Sequence, residues 1–296
     1  MLLNTKIPVW GFIKRIKYDL ITISLFSILI GLIANYGDYF AMIEIPIALV
    51  AIIGTAISLL LAFRISQSYN RWWEARIVWG SIVNNSRTLI RQVQEFLPET
   101  ELEEIKGFAE RQIIWNFALG ESLRKVSVFS SKVQKYLEDY KIEAYHIPNA
   151  LLIQHSQQLK RLAEADKITE YRQIQIDTTL LRLCNAMGKC ERIKNTVFPA
   201  AYSMLIHFLI YIFTILLPFT FHYNMGFVNI LLTAGIPMIF IAIEYTSILM
   251  QDPFENTPLD IPMTSLSKTI EANIKQQLNE KAEKPVPFPP NTYYMM

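Results

Sequence analysis

All 28 Lys and Arg residues lie outside two long stretches, 18–63 and 195–267. Within those stretches the only charged residues are Asp19, Asp38, Glu44, Glu244, Asp252, Glu255 and Asp260. Each stretch holds a pair of apolar runs: 20–34 with 45–63, and 200–221 with 227–250. Allowing for flanks, each run approaches the roughly 17–25 residues that cross a bilayer as a helix. Tyr36, Tyr39 and Phe40 extend the first and shortest run as interfacial aromatics. Soluble core helices ordinarily keep a polar face, which these runs lack. The connectors 35–44 and 222–226 carry no positive charge, so they are expected outside, with both termini and the middle segment cytoplasmic.

The expected organisation follows from these runs. Residues 1–19 form an interfacial N-terminal helix, in which Trp10, Phe12 and Ile13 alternate with Lys14 and Lys17. Residues 20–66 form a first transmembrane hairpin and 200–250 a second. Residues 67–199 form a cytoplasmic helical domain, 251–281 a cytoplasmic C-terminal segment, and 282–296 a proline-rich tail. No cleavable signal pattern follows the first run. In the middle segment, Thr100 with Glu103 reads as a capping box. Pro148 opens a helix containing Leu151, Leu152, His155, Leu159 and Leu162. Asp166 is expected to cap another, with apolar positions at Ile174, Ile176, Leu180, Leu181, Leu183 and Met187.

The catalytic inventory is poor. His146, His155, His207 and His222 have no metal-binding spacing and read as surface or packing residues. No phosphate loop or nucleophile elbow is present. Cys184 and Cys190 read as reduced, buried structural thiols. The expectation is a non-enzyme with no cofactor, no metal and no nucleic-acid partner; a net charge of +2 gives no reason for the last. Glu244 is the one carboxylate well inside a span, facing either a neighbouring helix or a lipid headgroup.

The second run carries more information. Ile52, Thr55, Leu59 and Phe63 recur at increments of three, four and four and share one helix face. Gly54, Ala56, Ser58 and Ala62 permit close approach of other helices. The stripe packs against neighbours on a lone helix, or becomes an apolar throat if several copies surround an axis. No Gly or Pro occurs between Thr55 and Trp79, so the helix is expected to run on into "AFRISQSYNRWWEAR", residues 62–76.

That segment, extended to residue 80, resembles the region after the second transmembrane helix of bestrophins, especially the prokaryotic ones. "GKCERIKNTVFPAAY" (188–202) and "DPFENTPLDIPMTSLSKTIE" (252–271) resemble two further blocks of that family. The resemblance implies an all-α integral membrane protein, a homopentameric channel with four transmembrane helices per subunit and a cytoplasmic helical bundle. It places Thr55, Leu59 and Phe63 at three rungs of a hydrophobic neck, with Ile52 beside them. It puts a second constriction at Tyr171, beside Glu170. Arg71, Trp72, Trp73, Glu74 and Arg76 are expected to pack and pair where subunits meet.

Prokaryotic members of the family favour monovalent cations, and Asp38 and Glu44 would set a negative ring at the outer mouth, with Glu170 at the exit. The expected function is therefore a monovalent cation channel of the inner membrane. Its expected partners are copies of itself, membrane lipid and the permeant ion. The alternatives are an anion channel on the same fold, or a membrane scaffold without transport. The animal family's calcium clasp needs a dense acidic run after Pro-Phe; "PFENTPLD" offers only Glu255 and Asp260, so calcium activation is not expected.

Overall fold

The structure is a computed structural model, and it describes residues 17–18, 21–30, 32, 45–196, 198–220 and 226–281. Asp38, Glu44, His222, the N-terminal interfacial segment up to residue 16 and the tail 282–296 lie outside the described residues. Every regular element among the described residues is helical. They are α1 (Ile21–Ile30), α2 (Ile47–Phe96), α3 (Leu102–Leu123), α4 (Ser131–Asp139), α5 (Ile147–Glu164), α6 (Glu170–Asn195), α7 (Ala200–Leu216), α8 (Gly226–Gln251) and α9 (Met263–Gln277). Short 3-10 turns occupy Glu99–Glu101 and Leu217–Thr220.

α2 is one uninterrupted helix of 50 residues, as the absence of internal Gly and Pro from Thr55 to Trp79 requires. Stretches within Ile47–Phe96, Glu170–Thr220 and Leu231–Gln251 are long and apolar enough to cross a membrane. The first apolar run of the sequence is described only as the shorter helix Ile21–Ile30.

The chain divides into two compact units. One comprises Lys6–Arg71 and Val197–Gln251. Its core joins Ile23 of α1, Val50, Ile57 and Leu61 of α2, Ile206, Ile210 and Phe213 of α7, and Ile241 of α8. Gly54 makes this packing possible, because a Cβ there would stand 3.0 Å from Cε2 of Phe213. The other unit comprises Met1–Thr5, Trp72–Thr196 and Asp252–Met296. α3 lies at its centre, packed against α4, α5, α6 and α9. Trp79, Leu89 and Ile90 of α2, Phe108 and Trp115 of α3, and Phe254 and Ile270 are fully buried there.

A polar layer crosses this second core. Ser86, Gln112 and Asn116 are all fully buried. Gln112 donates to Oγ of Ser86 (2.9 Å), Ser86 to the carbonyl of Ile82 (2.7 Å), and Asn116 to the carbonyl of Gln112 (2.7 Å). Arg111, also buried, donates to Oε1 of Gln158 and lies 3.4 Å from Nδ1 of His155. His155 stacks on Phe108. Burial and the neighbouring guanidinium hold the imidazole well below its ordinary pKa.

Several helix ends differ from the sequence reading. Thr100 does not cap α3; it sits inside the 3-10 turn, and Glu101 precedes the helix without a side-chain bond. Asp166 does not cap α6 either. It adopts a left-handed backbone (φ 54°) that closes α5, and Thr169 precedes Glu170. α5 starts at Ile147, with Pro148 in its first turn and Nδ1 of His146 accepting from the Asn149 N–H. On α6, Ile176, Leu180, Leu183 and Met187 are buried, whereas Ile174 and Leu181 are exposed. Cys190 is buried but Cys184 is exposed.

Candidate functional site

One face of α2 is used up within its own unit. Val50, Ile57, Leu61, Arg64 and Ser68 recur at helical spacing and are buried. The opposite side is left open. Ile52, Thr55, Leu59 and Phe63 are all exposed, Leu59 at 72% and Phe63 at 54%. From Ile52 to Phe63 the stripe rises about 16 Å at the α-helical rise. The same face of the helix continues at steps of three and four through Ser66, Asn70, Trp73, Ile77, Ser81 and Asn84, all exposed. Within two turns of Phe63 the face gains a hydroxyl at Ser66 and an amide at Asn70, before Trp73 and Ile77 return it to apolar side chains. Ala56, Ser58 and Ala62 are exposed as well, so small residues flank the apolar stripe.

The Phe63 end of this stripe is braced. Tyr202 of α7 donates its hydroxyl to the carbonyl of Leu60 (2.8 Å), and its ring lies 6.0 Å from that of Phe63. Arg64 turns away from the stripe and binds Oε1 of Glu244 at 2.5 Å, both side chains being 2% exposed. One turn on, the hydroxyls of Ser68 and Ser247 lie 3.1 Å apart. Glu244 thus faces a neighbouring helix, the first of the two possibilities left by the sequence.

The aromatic and charged residues that follow are held within the chain. The indole of Trp72 donates to the Leu259 carbonyl (2.7 Å), and Glu74 accepts from Arg192 of α6 (2.7 Å). Trp72 and Trp73 pack at 6.3 Å. Trp73 is exposed, while Arg71 and Arg76 are half-buried. These partners were not readable from the sequence, since 187 residues separate Trp72 from Leu259.

Glu170 and Tyr171 occupy the first turn of α6, and both are exposed, Tyr171 at 82%. Ile174 lies one turn further on the same face and is an exposed apolar residue.

The segment after α8 folds tightly. Asp260 accepts from both the N–H and the hydroxyl of Thr257, and Oδ1 of Asp252 accepts from the Phe254 N–H. Lys194 of α6, almost fully buried, places Nζ 2.9 Å from Asp252 and 2.5 Å from Glu255. Burial works against its charge, but the hydrogen bonds to Glu255 and Asp252 prevail and raise its pKa. The two carboxylates therefore already face an ammonium. Among the described residues no cluster of three or more His, Cys, Asp or Glu could hold a metal ion.

The family model described as Bacterial/Fungal Bestrophin protein matches residues 10–276. The chain belongs to the bestrophin family. This bestrophin is 28% identical over 301 residues to the voltage-dependent anion channel-forming protein YneE of Escherichia coli, covering 98% of this chain and 96% of that one. It is 27% identical over 234 residues to a protein of the same description from Ralstonia nicotianae, covering 78% and 76% respectively. Among solved structures, a variant of a bacterial bestrophin homologue from Klebsiella pneumoniae superposes with a TM-score of 0.82 at 26% identity. The match covers 90% of this chain and 98% of that one. A second variant of the same protein gives 0.81 at 25% identity. The all-helical bestrophin-like fold expected from the sequence is thus the fold observed. The cation preference expected from the sequence finds no support here, since the curated relatives are named for anions.

Proposed function

We propose that this bestrophin is an ion channel of the cell's inner membrane, built from several copies of the chain, five by family resemblance. Four helices per subunit cross the bilayer and both termini are cytoplasmic. The observation that carries this reading is the open stripe of α2. Apolar side chains exposed on a membrane-length helix must meet lipid or other copies. A lipid-facing stripe has no use for Thr55, nor for the amides and hydroxyls of Ser66 and Asn70 that continue the same face. Facing an axis shared with other copies, Ile52, Thr55, Leu59 and Phe63 form a neck that blocks ions while dry and passes them when wetted or widened.

The permeant ion in this reading is an anion, by analogy with the names of the curated relatives. Arg64, the charge nearest the neck, is neutralised by Glu244 and gives the neck itself no strong sign. A cation channel is the second reading, favoured by the exposed carboxylate of Glu170 beside Tyr171. The purified protein in a planar bilayer under a sodium chloride gradient distinguishes the two. A reversal potential near the chloride equilibrium value supports the anion reading, and one near the sodium value replaces it with the cation reading. No current under any gradient leaves a membrane scaffold.

A further inference from the structure

Phe63 is exposed on the open stripe, yet the residue that follows it is locked inside the unit. Arg64 binds Oε1 of Glu244, and its guanidinium carbon sits 5.4 Å over the Phe198 ring. Phe198 meets Tyr202 edge-on at 5.6 Å, and Tyr202 holds both the Leu60 carbonyl and the Phe63 ring. The turn that carries the innermost rung of the neck is therefore fixed by a continuous set of contacts starting at Glu244.

The other oxygen of that carboxylate, Oε2, lies 3.4 Å from Nε2 of His207 on α7. Nδ1 of His207 lies 3.0 Å from the Ser203 carbonyl. A carbonyl and a carboxylate both only accept, whereas a neutral imidazole has a single N–H. With one proton, one ring nitrogen must turn its lone pair toward an acceptor; with two, both contacts are satisfied. Among the described residues, the charged groups facing His207 from the packed elements are Glu244 of α8 and, across it, Arg64 of α2. The hydroxyl of Tyr202 is committed to Leu60, Tyr211 of α7 packs edge-on with Phe26 of α1, and Tyr245 adjoins Glu244 on α8.

We propose that His207 and Glu244 form a proton-operated positioning pair for Phe63, regulating the neck described above. The imidazolium completes the Arg64–Glu244–His207 cluster and holds Phe63 toward the axis. Loss of the proton removes the charge that draws His207 to the carboxylate, so α7 is held less firmly to Glu244 and the brace that Tyr202 of the same helix places on Leu60 and Phe63 relaxes. His207 is half-exposed in the single chain.

The proposal rests on the channel reading, and one experiment separates the two. Single-channel currents of the full-length protein are recorded in planar bilayers from roughly pH 5.5 to 8.5. The wild type is expected to conduct about threefold more, or better, at the alkaline end, a modest effect for one partly exposed ion pair. His207→Gln, which cannot become cationic, should give a flat profile at the high level. His207→Lys, a permanent cation, should give a flat profile at the low level. Currents that are pH-independent in the wild type, or a wild-type slope retained in His207→Gln, overturn the proposal and leave the channel intact. Absence of current at every pH removes the channel reading itself, and this proposal with it.

Discussion

Leu59 and Phe63 are large apolar side chains left open in a single chain. Fully burying such a side chain stabilises by about 1.5–3 kcal/mol, so a surface of this kind is kept only where something else covers or uses it. If they form the neck, removing either widens and wets it. Leu59→Ala and Phe63→Ala are each expected to raise single-channel conductance by about twofold or more. Bilayer recordings check this, and unchanged currents in both variants would place the barrier elsewhere. His155 supplies a different residue-scale test. Its folded-state pKa lies well below the ordinary value near 6.5 because burial and Arg111 oppose its charge. Below that pH an unfolded chain binds a proton that the folded one refuses. Stability is therefore full above about pH 6.5 and falls below it, by up to about 1.4 kcal/mol per pH unit. Thermal unfolding in detergent between pH 7 and roughly pH 5 should show a declining midpoint, with a shallower decline in His155→Gln.

At the scale of elements, Gly54 decides how closely α2 and α7 approach. Alanine would favour the helix by about 1 kcal/mol. Its Cβ, however, would stand 3.0 Å from the ring of Phe213, which is itself buried against Phe240. Overpacking of this kind costs about 1–3 kcal/mol, so Gly54→Ala should lower the unfolding midpoint slightly and Gly54→Val strongly. Phe213→Leu should partly rescue Gly54→Val, which a double-mutant comparison of midpoints reads directly. The sequence already showed that α2 runs unbroken and that Pro148 opens a helix containing Leu151, Leu152, Leu159 and Leu162, because both follow from local signals. It did not show where α3 and α6 begin. Thr100 and Asp166 have the right chemistry for caps, but the chain turns before either side chain reaches the helix. Nor could periodicity tell that Ile174 and Leu181 stay open while Ile176 and Leu180 are buried, since that depends on which neighbours surround α6. The bracing of the open stripe of α2 was hidden for a related reason. Arg64 and Glu244 are 180 residues apart, and neither motif nor spacing links them.

For the whole molecule, the question is what sets the channel in motion. Asp252 and Glu255 are the carboxylates best placed to receive a divalent ion after α8, yet Lys194 already sits between them. Its raised pKa keeps the ammonium charged below about pH 10.5, across any physiological range. Conductance is therefore expected to be the same in micromolar calcium and in chelator, and a strong calcium dependence in bilayers would contradict this arrangement. The remaining consequence concerns assembly order within the core around Trp115. Aliphatic surfaces tolerate sliding, because one methyl group substitutes for another at little cost. Ser86, Gln112 and Asn116 do not: shifting α3 by one turn along α2 would strand amides and a hydroxyl in a dry interior. These three side chains work as alignment pins, sacrificing some oiliness so that α2 and α3 can dock in a single register.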